Sequence, residues 1–284
     1  MLRRINILLL CLLPLAAFAS HAKMPPAVEG NPRLYPYPAD SANNTGVAVI
    51  VCPGGSYSWL DMKTEGDGVA KWLQQEGINA FVLRYRVANI SAYVLGYRVI
   101  GLGNKYPDMV SDVEAALEYV YTHAKDYGID TAKIGVMGFS AGGHLTMSSY
   151  IYNQTSYKPH FLCPVYPVVT LSDRKLTHKR SRRGALGVWR QFNHQMRDSL
   201  SLEKNIPSSC PPVFLINCQD DPTVRYRNSE LLDSALTAQQ VPHVYLQYKT
   251  GGHGFGANPA KTSAEAINWK NEFLLWLKKI LNYD

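Results

Sequence analysis

Five cysteines are scattered along the chain, and no two of them stand in a C-x-x-C pair or beside histidines at the spacing zinc requires. A structural zinc site is therefore not expected, and no metal is assigned to the chain. Internal repeats and low-complexity tracts are also missing, which removes solenoids, fibres and disordered linkers from consideration. Charge is sparse at 18%, against 46% hydrophobic residues, the balance of a chain that buries a core rather than one held open by self-repulsion. Long apolar runs are lacking too. The one sustained run, Ile5 to Phe18, is broken by Pro14 and falls short of the roughly 20 residues that cross a bilayer, so no stable membrane anchor is expected.

That run has the layout of a secretory leader. Arg3 and Arg4 precede it, leucines fill its middle, and small residues follow at Ala17 and Ala19, or at Ser20 and Ala22. Residues 1–22 are read as a signal peptide and the chain as exported, to the periplasm or beyond. Cys11 lies directly behind Leu10, where a lipid-attachment site needs a small residue, so lipidation is not expected. Beyond the leader stand Cys52, Cys163, Cys210 and Cys218. Three of them sit at or near the ends of apolar runs, which favours buried free thiols over disulfides.

The formal net charge is +7, and much of the excess is concentrated in Arg174, Lys175, Lys179, Arg180, Arg182 and Arg183. Such a run suits nucleic acid, an acidic glycan or anionic lipid. It stands without any nucleic-acid motif, so it is read as a solvated loop with no nucleic-acid partner.

Short apolar runs alternate with longer stretches of helical period, the pattern of a parallel sheet covered on both faces. Strands are expected from Val47 to Cys52, Ala80 to Tyr85, Ile134 to Gly138, Phe161 to Val165, Val213 to Cys218 and Val244 to Tyr248. Each is nearly continuous in apolar residues, as burial on both faces demands. Amphipathic helices are expected from Gly68 to Gln75, Met109 to Ala124, Leu145 to Tyr152, Ser229 to Gln239 and Ala264 to Leu281. The fold class is α/β, a mostly parallel central sheet with helices on both faces, and residues 23–284 read as one domain. Two stretches break the rhythm: a glycine-bearing connection from Ala88 to Tyr106, and the basic insertion at about 172–205. In such sheets long loops project from the edge where ligands bind.

The sequence Gly138-Phe139-Ser140-Ala141-Gly142 falls between an expected strand and an expected helix. A serine hydroxyl is a weak nucleophile unless it is exposed and aligned with a base, and the sharp strand-to-helix turn of G-x-S-x-G provides that exposure. Ser140 is the candidate nucleophile. His144, four residues on, is read as a packing residue rather than the base. Pro53-Gly54-Gly55-Ser56-Tyr57 follows the first expected strand, where a loop N–H can join that of Ala141 in holding an oxyanion. Gly55 and Ser56 both remain candidates for that donor. The base is expected after a late strand, and His253 lies in Gly251-Gly252-His253-Gly254 directly after one. His123, His160, His178, His194 and His243 read as surface residues. The carboxylate that fixes the imidazole tautomer is expected after the preceding strand, at Asp220-Asp221-Pro222-Thr223-Val224. Asp221 is favoured over Asp220 by its D-x-x-V spacing, with Asp220 left to cap the turn.

With those residues in the order Ser140, Asp221, His253, the chain resembles the α/β-hydrolase superfamily, whose members run nucleophile, acid, base. Within it the chain is similar to exported bacterial esterases related to acetyl xylan esterases and feruloyl esterases. The likeness covers essentially the whole mature chain and rests on P-G-G at Pro53 to Gly55, G-F-S-A-G-G-H at Gly138 to His144, D-D-P-x-V at Asp220 to Val224 and G-G-H-G-F at Gly251 to Phe255. Family members often carry a third glycine where this chain has Ser56. The resemblance implies hydrolysis of short acyl esters, commonly acetyl groups on plant polysaccharides, with no cofactor and a small-molecule or polysaccharide ester as partner. Tyr57 and Trp59, with Tyr93, Tyr97 and Trp189, lie in loops expected to rim the site and are candidates for contact with sugar. Two other readings stand beside it. One is a serine peptidase of the prolyl-oligopeptidase kind, for whose gating domain the chain has no room; the other is a carbohydrate-binding protein that has kept the fold and lost turnover.

Overall fold

The computed structural model describes residues 33–88 and 103–282. The leader read at residues 1–22 and the aromatic candidates Tyr93 and Tyr97 lie outside the described residues. Six strands run parallel: β2 (Ala48–Cys52), β3 (Asn79–Arg84), β4 (Ile134–Phe139), β5 (Phe161–Val165), β6 (Val213–Cys218) and β7 (His243–Tyr248). A seventh, β1 (Arg33–Tyr37), closes one edge antiparallel to β3, and the spatial order is β1-β3-β2-β4-β5-β6-β7.

Side-chain alternation along β2 shows how the sheet divides the core. Ala48, Ile50 and Cys52 enter one apolar layer, while Val49 and Val51 enter the other, the period of two that a pleated strand imposes. The first layer is covered by α2 (Asp108–Thr122), α3 (Ala141–Ile151) and α6 (Arg227–Ala238); the second by α1 (Gly68–Gln75) and α7 (Trp269–Leu281). The terminal helix docks through Trp269, Phe273, Trp276 and Leu277, a stripe at helical spacing. It starts later than the apolar pattern implies, because residues Ala266–Asn268 form a separate 3-10 turn.

Two elements differ from the sequence-based expectation. Strand β1 carries Pro36, which argues against a strand wherever both sides must hydrogen-bond; on an edge only one side pairs, so the proline is tolerated. The basic insertion at 172–205 is not a plain solvated loop. It holds α4 (Lys179–Arg190), broken at Gly187, and α5 (His194–Ser199), capped by the Asn193 side chain accepting from the Met196 N–H. Its cations obscure the few residues that dock it. Ala185 and Leu186 are buried, and Gly184 packs directly on the Ser56 carbonyl.

The connection from β2 leads to β3 on one side, and that from β4 leads to β5 on the other. Helix α1 after β2 and helix α3 after β4 therefore cover opposite faces. Their loops part at the carboxyl ends of β2 and β4, the topological switch point at which α/β sheets open a crevice.

Candidate active site

Strand β4 ends at Phe139 and α3 begins at Ala141, so a single residue must turn the chain. Ser140 does so at φ 54°, ψ −115°, a conformation that costs a non-glycine residue about 1–3 kcal/mol and persists only when its surroundings over-determine it. Here the Ser140 N–H donates to the Val165 carbonyl at 3.0 Å, and the Ser140 carbonyl accepts from Val168 at 3.1 Å. Gly142 is required by close approach: a Cβ there would lie 2.0 Å from the Cys52 carbonyl oxygen, so any side chain would push α3 off the end of β2.

The turn presents Ser140 Oγ 2.9 Å from His253 Nε2, and His253 Nδ1 lies 2.6 Å from Asp221 Oδ2. The other Asp221 oxygen accepts from the N–H groups of Thr223 and Val224, which fixes the carboxylate toward the ring. A carboxylate at Nδ1 holds the proton on that nitrogen and leaves Nε2 to accept from a hydroxyl. Asp220 does not cap this turn. Its oxygens accept from Gly251 and Gly252 N–H at 3.2 and 2.9 Å, pinning the loop that carries His253.

The loop after β2 leans on the nucleophile turn, with Gly54 packed against the Phe139 carbonyl and the Ser140 Cβ. The Gly54 N–H is taken by Glu65 Oε2 at 2.7 Å, which leaves Gly55 and Ser56 as the loop donors available to accompany Ala141. The N–H of Ala141 opens α3 and has no partner within that helix. Trp59 is 44% exposed beside this loop, and Trp189 is 76% exposed on the insertion.

Tyr57 is not at the rim. It is 1% exposed, and its hydroxyl is engaged with His144 Nδ1 at 2.8 Å; the left-handed backbone at Ser56 and Tyr57 turns the ring inward. His144 is the packing residue expected. Its Nδ1 accepts from Tyr57 and its Nε2–H donates to the Leu200 carbonyl at 2.9 Å, so one neutral tautomer joins the loop after β2, helix α3 and the insertion. Burial pulls its pKa from 6.5 down to about 4. A pKa depressed on folding stabilises the protein above the unfolded value and loses that contribution as pH falls through the window. Between pH 6.5 and 4 this one residue is expected to remove about 3 kcal/mol of stability. Urea midpoints should therefore fall more steeply with acid in the wild type than in His144→Gln.

Nothing in composition or spacing singles out Glu65 and Tyr166, yet the structure places both against the site. Tyr166, directly after β5, donates its O–H to Glu65 Oε1 at 2.9 Å and accepts from the Gly256 N–H at 2.9 Å. Its ring lies 4.6 Å from that of His253. Three loops, after β2, β5 and β7, are thereby tied by one buried network. Burial pushes the Glu65 carboxyl up, opposed by the His253 charge, the Tyr166 hydroxyl and the Gly54 N–H. Tyr166→Phe strands an acceptor and a donor, and is expected to cost about 1–3 kcal/mol and lower turnover about tenfold by loosening the imidazole loop. Thermal melts and initial rates on one purified preparation check both.

His178 also departs from its surface reading. It is half-buried with Nδ1 2.8 Å from Ser181 Oγ, and its pKa is lowered to about 4 by burial, the Arg180 charge and His253. Among the described residues no group of three or more His, Cys, Asp or Glu is placed to hold a metal, and no helix is long and apolar enough to cross a membrane.

Known proteins share this arrangement of elements. The acetyl ester-xyloside bifunctional hydrolase from Caldicellulosiruptor lactoaceticus superposes with a TM-score of 0.76 at 29% identity, covering 89% of each chain. The carboxylesterase Cest-2923 from Lactobacillus plantarum, at 19% identity and a TM-score of 0.74, covers 93% of this chain and 98% of its own and shares the fold. An acetylxylan esterase from Xylanibacter ruminicola is 33% identical over 218 residues, 75% of this chain but 42% of that protein. Endo-1,4-beta-xylanase B from Butyrivibrio fibrisolvens is 30% identical over 217 residues, 72% of this chain and 32% of its own length. This chain thus spans less than half the length of either relative. The BD-FAE family model matches residues 35–236, from the edge strand through the acid turn, and on that span the chain belongs to the BD-FAE family, with an α/β-hydrolase fold.

Proposed function

We propose that the protein is a serine carboxylic-ester hydrolase acting on short acyl esters, acetyl above all, carried on a carbohydrate. The observation that carries this reading is the unbroken hydrogen-bond chain from Ser140 through His253 to Asp221 at the switch point of the sheet. In this reading Ser140 Oγ attacks the ester carbonyl as His253 Nε2 takes its proton. The oxyanion is held by the Ala141 N–H and a donor from Gly55 or Ser56, and the alcohol departs with the proton returned by His253. Water activated by the same imidazole then releases the acid and restores the serine.

The acetylxylan esterase and acetyl ester-xyloside hydrolase named above support acetyl as the acyl group and a xylan-type carbohydrate as the alcohol. The leader read at residues 1–22 supports export to where polysaccharide would be met. The experiment is a panel of 4-nitrophenyl acetate, acetylated xylo-oligosaccharide, feruloylated oligosaccharide and a proline-containing peptide amide. The highest kcat/KM is expected on an acetyl ester. Preferential cleavage of the peptide would favour the prolyl-oligopeptidase-like reading instead, and glycan binding without product would favour a binding protein.

A further inference from the structure

The basic run lines a cavity beside the acid turn. The cavity encloses about 740 Å³ between the start of α4, the segment before it, and Thr223 and Arg225 of the acid turn. Seven of its lining residues are Lys or Arg and none is Asp or Glu. Protein surfaces ordinarily intersperse the two signs, and gathering one sign into a concavity focuses an attractive field on anions at the expense of self-repulsion. That repulsion is visible at Arg182, whose pKa is lowered by burial and by the charges of Arg197 and Arg183. Of the cavity's own cations, Arg182 has its Nε buried with no hydrogen-bond partner, so this guanidinium is held at the wall without a carboxylate of the protein to pair it.

The cavity is close to the chemistry. The Thr223 N–H donates to Asp221 Oδ1 at 2.8 Å, and a smaller adjoining cavity shares Lys175, Leu176 and Arg225 with it and is lined by Asp221. An anion alone has no need of an apolar wall, yet Phe192 lines the cavity while 69% exposed, and Trp189 on the same segment is 76% exposed. A charged group beside an open aromatic face matches a sugar ring that bears an acid.

We propose that this cavity is a subsite for the carboxylate of an acidic sugar unit, so that the substrate presented to Ser140 is an acylated glycan bearing uronate residues. The inference rests on the esterase reading above. The guanidinium groups suit a planar carboxylate, which they can meet with two parallel hydrogen bonds. A pocket of this size holds a small ligand rather than a duplex.

The test compares kcat/KM on an acetylated oligosaccharide carrying one uronate with that on its neutral counterpart of equal length. The ratio is the readout, because a general loss of fold or turnover leaves it unmoved. In the wild type the charged substrate is expected to be favoured about tenfold or more, with the preference shrinking in roughly 0.5 M salt as screening grows. Arg182→Gln and, at the exposed wall, Arg225→Gln should each bring the ratio toward one. A wild-type ratio of one, or a ratio unmoved in both variants, overturns the subsite. Inorganic sulfate inhibiting the charged substrate as well as a free oligouronide does would overturn its assignment to a carboxylate. Should the wild type hydrolyse no ester at all, the esterase reading falls separately. Calorimetric binding of the deacetylated oligouronide, lost in Arg225→Gln, would still uphold the subsite, and no binding would end it.

Discussion

Ser140→Ala is expected to lower turnover of 4-nitrophenyl acetate by roughly four orders of magnitude or more while shifting the thermal midpoint little. The hydroxyl makes one side-chain hydrogen bond, to His253 Nε2, whereas the turn around it is held by backbone bonds to Val165 and Val168 that alanine keeps. Loss of activity with retained fold would therefore be chemical rather than structural. Burst kinetics sharpen the result: the wild type should release nitrophenol in a stoichiometric burst if deacylation is slow, and the variant should show none. Activity within tenfold of wild type in a verified Ser140→Ala preparation would sink the mechanism.

A second large effect separates the paired aspartates. Asp221→Asn keeps the shape of the acid turn, since an amide oxygen can still accept from Thr223 and Val224. It cannot hold the proton on His253 Nδ1 as a carboxylate does, and the imidazole is released to the wrong tautomer. A loss of about 10³ to 10⁴ in kcat is expected. Asp220→Asn disturbs only the anchoring of Gly251 and Gly252, and roughly a tenfold loss should follow from the looser loop. Measured side by side on 4-nitrophenyl acetate, the two variants should differ by at least about a hundredfold. Equal losses would mean that the short contact between His253 and Asp221 does not govern the tautomer.

The parallel strands were legible because each is buried on both faces and so reads as an unbroken apolar run. The residues of the Ser-His-Asp chain were legible because glycine must flank a nucleophile turn and a histidine loop, and because their order along the chain follows the order of the strands. What escaped obeys no period. Glu65 and Tyr166 meet across 101 residues through a network whose members look, one at a time, like a loop acid and a core aromatic. Tyr57 was misplaced because a P-G-G-x-aromatic turn does not reveal which way its ring rotates, and a left-handed backbone at two successive residues decided that. The insertion was misjudged because its many cations hide the small and apolar residues that seat it on the Ser56 carbonyl.

Cys52, Cys163, Cys210 and Cys218 are all reduced and buried, and two of them end strands that carry the site: Cys52 before the loop of Gly55 and Ser56, Cys218 before the acid turn. Packing, not a covalent cross-link, sets the positions of those strand ends. Among the described residues no disulfide holds the catalytic geometry, so a reducing agent is expected to leave the shape of the reaction centre unchanged.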